Sequence, residues 1–203
     1  ELSTPDSGLI FNSGTMENTY FYWGYIRTGG LSLRWYRDNI CDKEGDGEYY
    51  DCLSEKAKDV PAGSNGVLFL PYLTGGYGDF ANASGAFLNM TMDTNQEVLW
   101  RAVLEAIGYD YISVTDVYRA GGVSLDKITV TEGGSRSDLW NQIKADMLNS
   151  TVTTLKKAGG AVMTNVVVAA YAVGDIDNLK DSFNSYPVDA IAQAAAKAAA
   201  AEN

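Results

Sequence analysis

Four consecutive β-branched residues, Ile128, Thr129, Val130 and Thr131, run directly into Glu132, Gly133 and Gly134, and then into a stretch with helical periodicity. The β-branched run suits a strand, because side chains stiff at χ1 pack well on a pleated surface. In the stretch that follows, Leu139, Ile143 and Met147 recur every four residues and form one apolar stripe, with Ser135 or Ser137 available to cap its first turn. A glycine pair between a strand end and a helix start offers bare backbone on which a flat ligand can lie, with helix amides near an oxygen. The same spacing also suits a plain strand-to-helix turn with no ligand.

The elements that must position such a slot follow along the chain. Leu9 to Phe11 and Phe21 to Ile26 read as two strands joined by a turn of small and hydroxyl residues, Ser13, Gly14 and Thr15. Thr28, Gly29 and Gly30 end the second strand, and a helix carrying Arg34 and Arg37 begins at Leu31. A buried strand is expected over Val67 to Leu70, after a turn at Pro61 to Ser64. Asn95 or Thr94 caps the longest helix, whose inner side carries Val98, Leu99, Ala102, Val103, Ala106 and Ile107, and Gly121 and Gly122 end it. Thr151 to Leu155 is a further strand. Ala161 to Val173 is apolar on nearly every face, which predicts a helix buried between other elements. Residues 183–203 form an alanine-rich tail of high helix propensity, and the last three resemble a cloning remnant. Strands alternating with helices argue for an α/β domain.

Composition removes several kinds of chemistry. The chain has 203 residues and no histidine, so Ser/His/Asp and Cys/His catalysis and imidazole zinc sites are excluded. Fifteen basic against 26 acidic residues give a net charge of −11, and no basic patch offsets it, which argues against nucleic acid and anionic membranes as partners. No apolar run is long enough to span a bilayer. Cys41 and Cys52 are the only cysteines, which fits reduced thiols and a cytoplasmic setting. The acids between Cys41 and Asp51 lack the ligand spacing of an EF-hand and read as a solvated loop, so no metal site is expected. Gly76-Tyr77-Gly78-Asp79-Phe80-Ala81 has the glycine pattern of a dinucleotide loop, but Asn82, Ser84 and Gly85 make a poor helix behind it.

Several stretches in one order resemble the C-terminal domain of the FGGY carbohydrate kinases, in the manner of the xylulokinase and gluconokinase branches. They are GYIRTGGLSLRWYRD, PAGSNGVLFLPYLTG, SGAFLNMTM followed by LWRAVLEAIGY, and ITVTEGGSRSDLWNQIKADML. The resemblance implies an actin-like, ribonuclease-H-like ATPase domain over residues 14–182, a mixed sheet with helices on both faces, preceded by an edge at residues 1–13. It implies ATP and Mg²⁺ as cofactors and a sugar or polyol as substrate. It also implies a missing N-terminal domain that carries the catalytic base, so that no catalytic residue is expected here, and it leaves a homodimer open. On that pattern Gly133 and Gly134 hold adenine, Ser135 and Ser137 edge the slot, and Gln142 lies one turn further on. Gly14 and Thr15 belong to a phosphate turn, Gly30 lets backbone approach the terminal phosphates, and Arg34 faces the nucleotide. Glu132 departs from the pattern by standing where many relatives have a third glycine. A non-catalytic actin-like binding module is the alternative reading, and a dinucleotide-dependent oxidoreductase using Gly76 and Gly78 is a third.

Overall fold

The computed structural model describes residues 8–14, 16–76, 80–155, 160–184 and 188–192. Strands β1 (Ile10–Ser13) and β2 (Tyr20–Trp23) pair antiparallel as a hairpin, with Phe11 opposite Tyr22. Helix α1 (Gly29–Trp35) runs on into a wider π-turn at Tyr36–Ile40. Helix α2 (Tyr49–Ala57) follows, and strands β3 (Leu68–Leu70) and β4 (Ala86–Leu88) form a second antiparallel pair. Beyond the long helix α3 (Gln96–Ala120) come β5 (Lys127–Val130), α4 (Asp138–Leu148), β6 (Thr151–Leu155), α5 (Gly160–Ala172), α6 (Leu179–Asn184) and β7 (Val188–Ala192). Strand β6 lies between β5, parallel to it, and β7, antiparallel to it, so this sheet is mixed.

The core forms around α3. Asn95 caps the helix, its side chain accepting from the Val98 amide at 3.0 Å, and Trp100, Val103, Leu104 and Ile107 are buried along it. Trp100 meets Tyr36 of the π-turn at 5.5 Å and stacks on Tyr50 of α2 at 6.0 Å between ring centroids, so one indole joins three elements. Each such large side chain removed from water contributes about 2 to 3 kcal/mol. Phe69 and Phe87 continue the cluster across β3 and β4.

A buried carboxylate fixes α3 against β3. Glu105, 5% exposed, accepts from the Gly63 amide at 3.1 Å, the Ser64 hydroxyl at 2.7 Å and the Arg101 guanidinium at 2.8 Å. These groups hold a turn in which Gly63, Ser64, Asn65 and Gly66 all have positive φ, a conformation that Ser64 and Asn65 would not adopt unsupported.

Some of the chain departs from the sequence expectations. Helix α1 begins at Gly29, two residues earlier than expected, and Thr28 is buried with its hydroxyl donating to the Pro71 carbonyl. Helix α5 is not buried on all sides: Val162 is 67% and Val166 53% exposed, while Val167 is buried. An all-apolar helix has no periodicity to say which side faces the core, and here only one side is covered. Residues 188–192, read as part of a helical tail, form β7, because pairing with β6 outweighs local propensity; residues 193–203 lie outside the described residues. The chain turns at Phe80, where the Ala83 amide donates to the Phe80 carbonyl at 2.9 Å, and enters β4 at Ala86. Among the described residues no α-helix runs between Gly76 and β4, which removes the support for the dinucleotide reading; residues 77–79, Gly78 included, lie outside the described residues. Both cysteines are free thiols, and among the described residues no helix is long and apolar enough to cross a membrane.

Replacing Glu105 with alanine leaves the Arg101 charge and the 63–66 turn without their acceptor, and the expected loss is on the order of 3 kcal/mol. Urea unfolding measures it, and a loss below that of an ordinary surface substitution would show that the turn holds itself.

Candidate functional site

A cleft of about 640 Å³ opens between α2, α4 and the turn at Gly133–Ser135, with Trp100 and Leu104 of α3 at its back. Its volume falls within the range of small-molecule sites. Gly30 of α1 and Gly133 both line it. A Cβ built on either would meet nothing within 4 Å, and neither has a positive φ. Neither turn geometry nor packing calls for glycine at these two positions; what the missing side chains leave is open floor. Gly134 differs, since a Cβ there would lie 3.0 Å from the Trp140 ring. That backbone rests directly on an indole.

The turn is held from the α4 side. Ser137 caps α4, accepting from the Trp140 amide at 3.2 Å, and its hydroxyl lies 3.4 Å from that of Ser54 on α2, which ties the two walls together. Asn141 donates to the Ser135 carbonyl at 2.7 Å. Lys144 donates to the Gly134 carbonyl at 2.9 Å and to Asn141 Oδ1 at 3.2 Å, with its ammonium 3.9 Å from the Trp140 ring centroid. Burial pushes the Lys144 amine down to about 8. The turn begins under strain, because Glu132 has φ 62° and ψ −156°, a region essentially reserved for glycine.

Of the residues singled out from the sequence, Gly30, Gly133, Gly134 and Ser137 share this cleft. Ser135 lies at its edge with its hydroxyl donating to the Glu132 carbonyl at 2.7 Å. Gln142 is on the exposed side of α4 and donates to Asp146 at 2.9 Å, and Arg34 is exposed on α1 outside the lining. Gly14 lies in the β1–β2 turn, where its amide already donates to the Thr19 carbonyl at 2.7 Å and a Cβ would strike the Thr19 hydroxyl; Thr15 lies outside the described residues. The cleft also holds residues that the sequence reading passed over, notably Tyr50 and Asp51 of α2, Arg136 and Trp140. Arg136, between two serines already singled out, and Trp140, three residues after the cap, were within reach of local reasoning. Tyr50 reaches the cleft only through tertiary packing.

Comparison with known proteins gives one answer at three levels. The family model described as "FGGY family of carbohydrate kinases, C-terminal domain" matches residues 4–173. Among curated proteins, a gluconokinase of Bacillus licheniformis is 32% identical over 187 residues, covering 86% of this chain and 36% of the relative. A xylulose kinase of Staphylococcus epidermidis is 30% identical over 176 residues, covering 85% of this chain and 34% of the relative. The chain thus spans about a third of the length of these relatives. Among solved structures, the ligand-bound xylulose kinase of Lactobacillus acidophilus superposes with a TM-score of 0.78 at 24% identity, over 97% of this chain and 40% of the other. The fold is that of the actin-like ATPases.

Two outcomes are expected at the turn. Glu132→Gly relieves the backbone strain and raises stability by about 1 kcal/mol in urea unfolding; an unchanged or lower midpoint would mean that the strain is absent. The second concerns pH. Between about 8 and lysine's ordinary 10.5, the unfolded chain still binds a proton that folded Lys144 has released, so stability rises with pH across that window. The wild type should gain on the order of 2 kcal/mol relative to Lys144→Met over it. Parallel pH curves for the two proteins would place the ammonium in water.

Proposed function

Because this chain belongs to the FGGY family of carbohydrate kinases, through the family's C-terminal domain, we propose that it is the ATP-binding half of a kinase that phosphorylates a hydroxyl of a sugar or polyol. The observation that carries this reading is the pair of glycines, Gly30 and Gly133, a hundred residues apart in the sequence, that meet in one cleft where nothing but open space demands them. A purine lies flat against the Gly133-Gly134 backbone, and Gly30 gives the phosphates close approach. Arg136 supplies positive charge to the same cleft. Phosphoryl transfer asks a protein mainly for positioning and charge neutralisation, and these residues are suited to both. Mg²⁺, if it accompanies the nucleotide, would add charge neutralisation at the phosphates. Among the described residues no cluster of acids, cysteines and histidines forms a metal site of its own.

The group that takes the proton from the attacking hydroxyl belongs, on this reading, to a second domain, and the chain alone is inactive as a kinase. Two observations support a further domain. The chain spans about a third of its curated relatives, and α5 turns Val162 and Val166 outward where a packed partner would cover them. The gluconokinase and xylulose kinase relatives make a xylulose-like or gluconate-like acceptor the first to try. A non-catalytic nucleotide- or partner-binding module is the second reading, favoured by the Glu132 carboxylate at the start of the turn. Sugar phosphorylation by the chain joined to its upstream domain decides between them.

Titration calorimetry with Mg·ATP tests the slot. The wild-type chain should bind, and Gly133→Val should abolish the heat without moving the urea midpoint, since its side chain enters open space. No heat and no nucleotide-dependent resonance shifts at millimolar ATP, or equal binding by the variant, would overturn the assignment.

A further inference from the structure

Lys144 is the one buried lysine among the described residues, 4% exposed, and it sits in an otherwise apolar line on α4 with Trp140 and Leu148. Among the described residues no acid pairs with it: its hydrogen bonds go to the Gly134 carbonyl and Asn141 Oδ1. Asn141, 1% exposed, passes the connection on to the Ser135 carbonyl at 2.7 Å. Two adjacent carbonyls of the turn that floors the cleft are therefore drawn towards α4 by two buried side chains. A buried ammonium without a carboxylate partner is costly to a fold, and an apolar residue in this line would pack without that cost. What the lysine adds is a fixed direction for the Gly134 carbonyl.

We propose that Lys144, with Asn141, is a positioning pair for the nucleotide slot, holding the carbonyls of Gly134 and Ser135 on the helix side so that the Gly133-Gly134 backbone presents a flat, carbonyl-free face to a purine. This rests on the reading of the cleft as an ATP site. Neither residue lines that cleft; both act through the turn. On its other side Lys144 borders a second cavity of about 300 Å³ walled by Val114, Ile128, Leu148 and Val152, which gives a small amine a route to the same position.

The test uses Lys144→Ala in this chain, with amide hydrogen exchange and Mg·ATP titration as separate readouts. The Ser135 and Arg136 amides, which bond to the Glu132 and Gly133 carbonyls, should exchange about tenfold faster in the variant, the factor carried by one charged hydrogen bond, while amides in the middle of α3 keep their protection. The dissociation constant for ATP should rise by about the same factor. Added n-butylamine should restore both and n-butanol neither, which separates an ammonium that orients a carbonyl from a stem that fills space. Unchanged exchange at the turn, faster exchange throughout the molecule, or equal rescue by the alcohol would overturn the proposal. So would a loosened turn with unchanged ATP affinity. If the wild type binds no ATP, the reading of the cleft fails, while the exchange result still decides whether Lys144 holds the turn.

Discussion

The carboxylate of Glu105 is the contact on which the rest of the architecture depends. A charge this deep is tolerated only because an amide, a hydroxyl and a guanidinium converge on it, and removing any of them leaves the carboxylate short of a donor. Through it the middle of α3 is joined to the left-handed turn at residues 63–66, and hence to Val67 and Phe69, which carry the core into β3. Leu104 is its neighbour on the helix, and Trp100 lies about one turn earlier; these are the residues that form the back of the cleft. A shift of α3 along its axis would therefore move the rear wall of the site and break a buried polar cluster at once.

The front of the site depends on a different economy. Its floor is backbone, and backbone without side chains has no packing of its own to keep it in place. The polar underside of α4 supplies what is missing: Ser137 at the cap, Asn141 and Lys144 beneath, and Trp140 as the surface on which Gly134 rests. Glu132 adds strain at the entrance that these contacts must outweigh. The turn is thus a poor turn by local standards held in shape by its helix, which is the arrangement expected where geometry serves a ligand.

What could be read from the sequence was what is encoded locally. The strand, glycine turn and capped helix from Lys127 to Leu148 were legible because β-branched residues, paired glycines and a serine cap act within a few residues of themselves. The long helix was legible for the same reason, with its cap narrowed to Asn95 or Thr94, of which the structure uses Asn95. The strand at residues 188–192 was not, because its alanines favour a helix and only pairing with β6 makes them extended. Nor was the outward face of α5, since uniform hydrophobicity carries no direction. In the cleft, Gly30 and Gly133 were found by type, whereas Tyr50 arrives through packing against Trp100, a contact between residues fifty positions apart. Lys144 did leave a trace: a charge in line with Trp140 and Leu148 on the buried side of a helix is a local contradiction, and such contradictions mark functional positions.

Charge decides how a site of this kind works in a chain with 26 acids and 15 bases. A polyanion meets a net repulsion at long range, but screening at physiological salt confines each charge to about 8 Å, so distant acids count for little once the ligand is seated. What matters is the sign of the groups beside it. Arg136 borders the cleft, and the ammonium of Lys144 lies directly beneath the turn in a setting where burial strengthens its field. Both are placed by α4 or the turn before it, so one helix supplies the support for the floor and much of the positive charge around it. Glu132 opposes them from an exposed position at the start of the same turn, where solvent weakens it, and Glu48 and Asp51 oppose them from the α2 side of the lining. The charges beside the turn are thus mixed, with Arg136 and Lys144 on the α4 side and acids at its start and on α2; on the proposed reading of the cleft as an ATP site, the uncharged ring is the part suited to the Gly133 floor and the phosphates are the part to be kept away from Glu132.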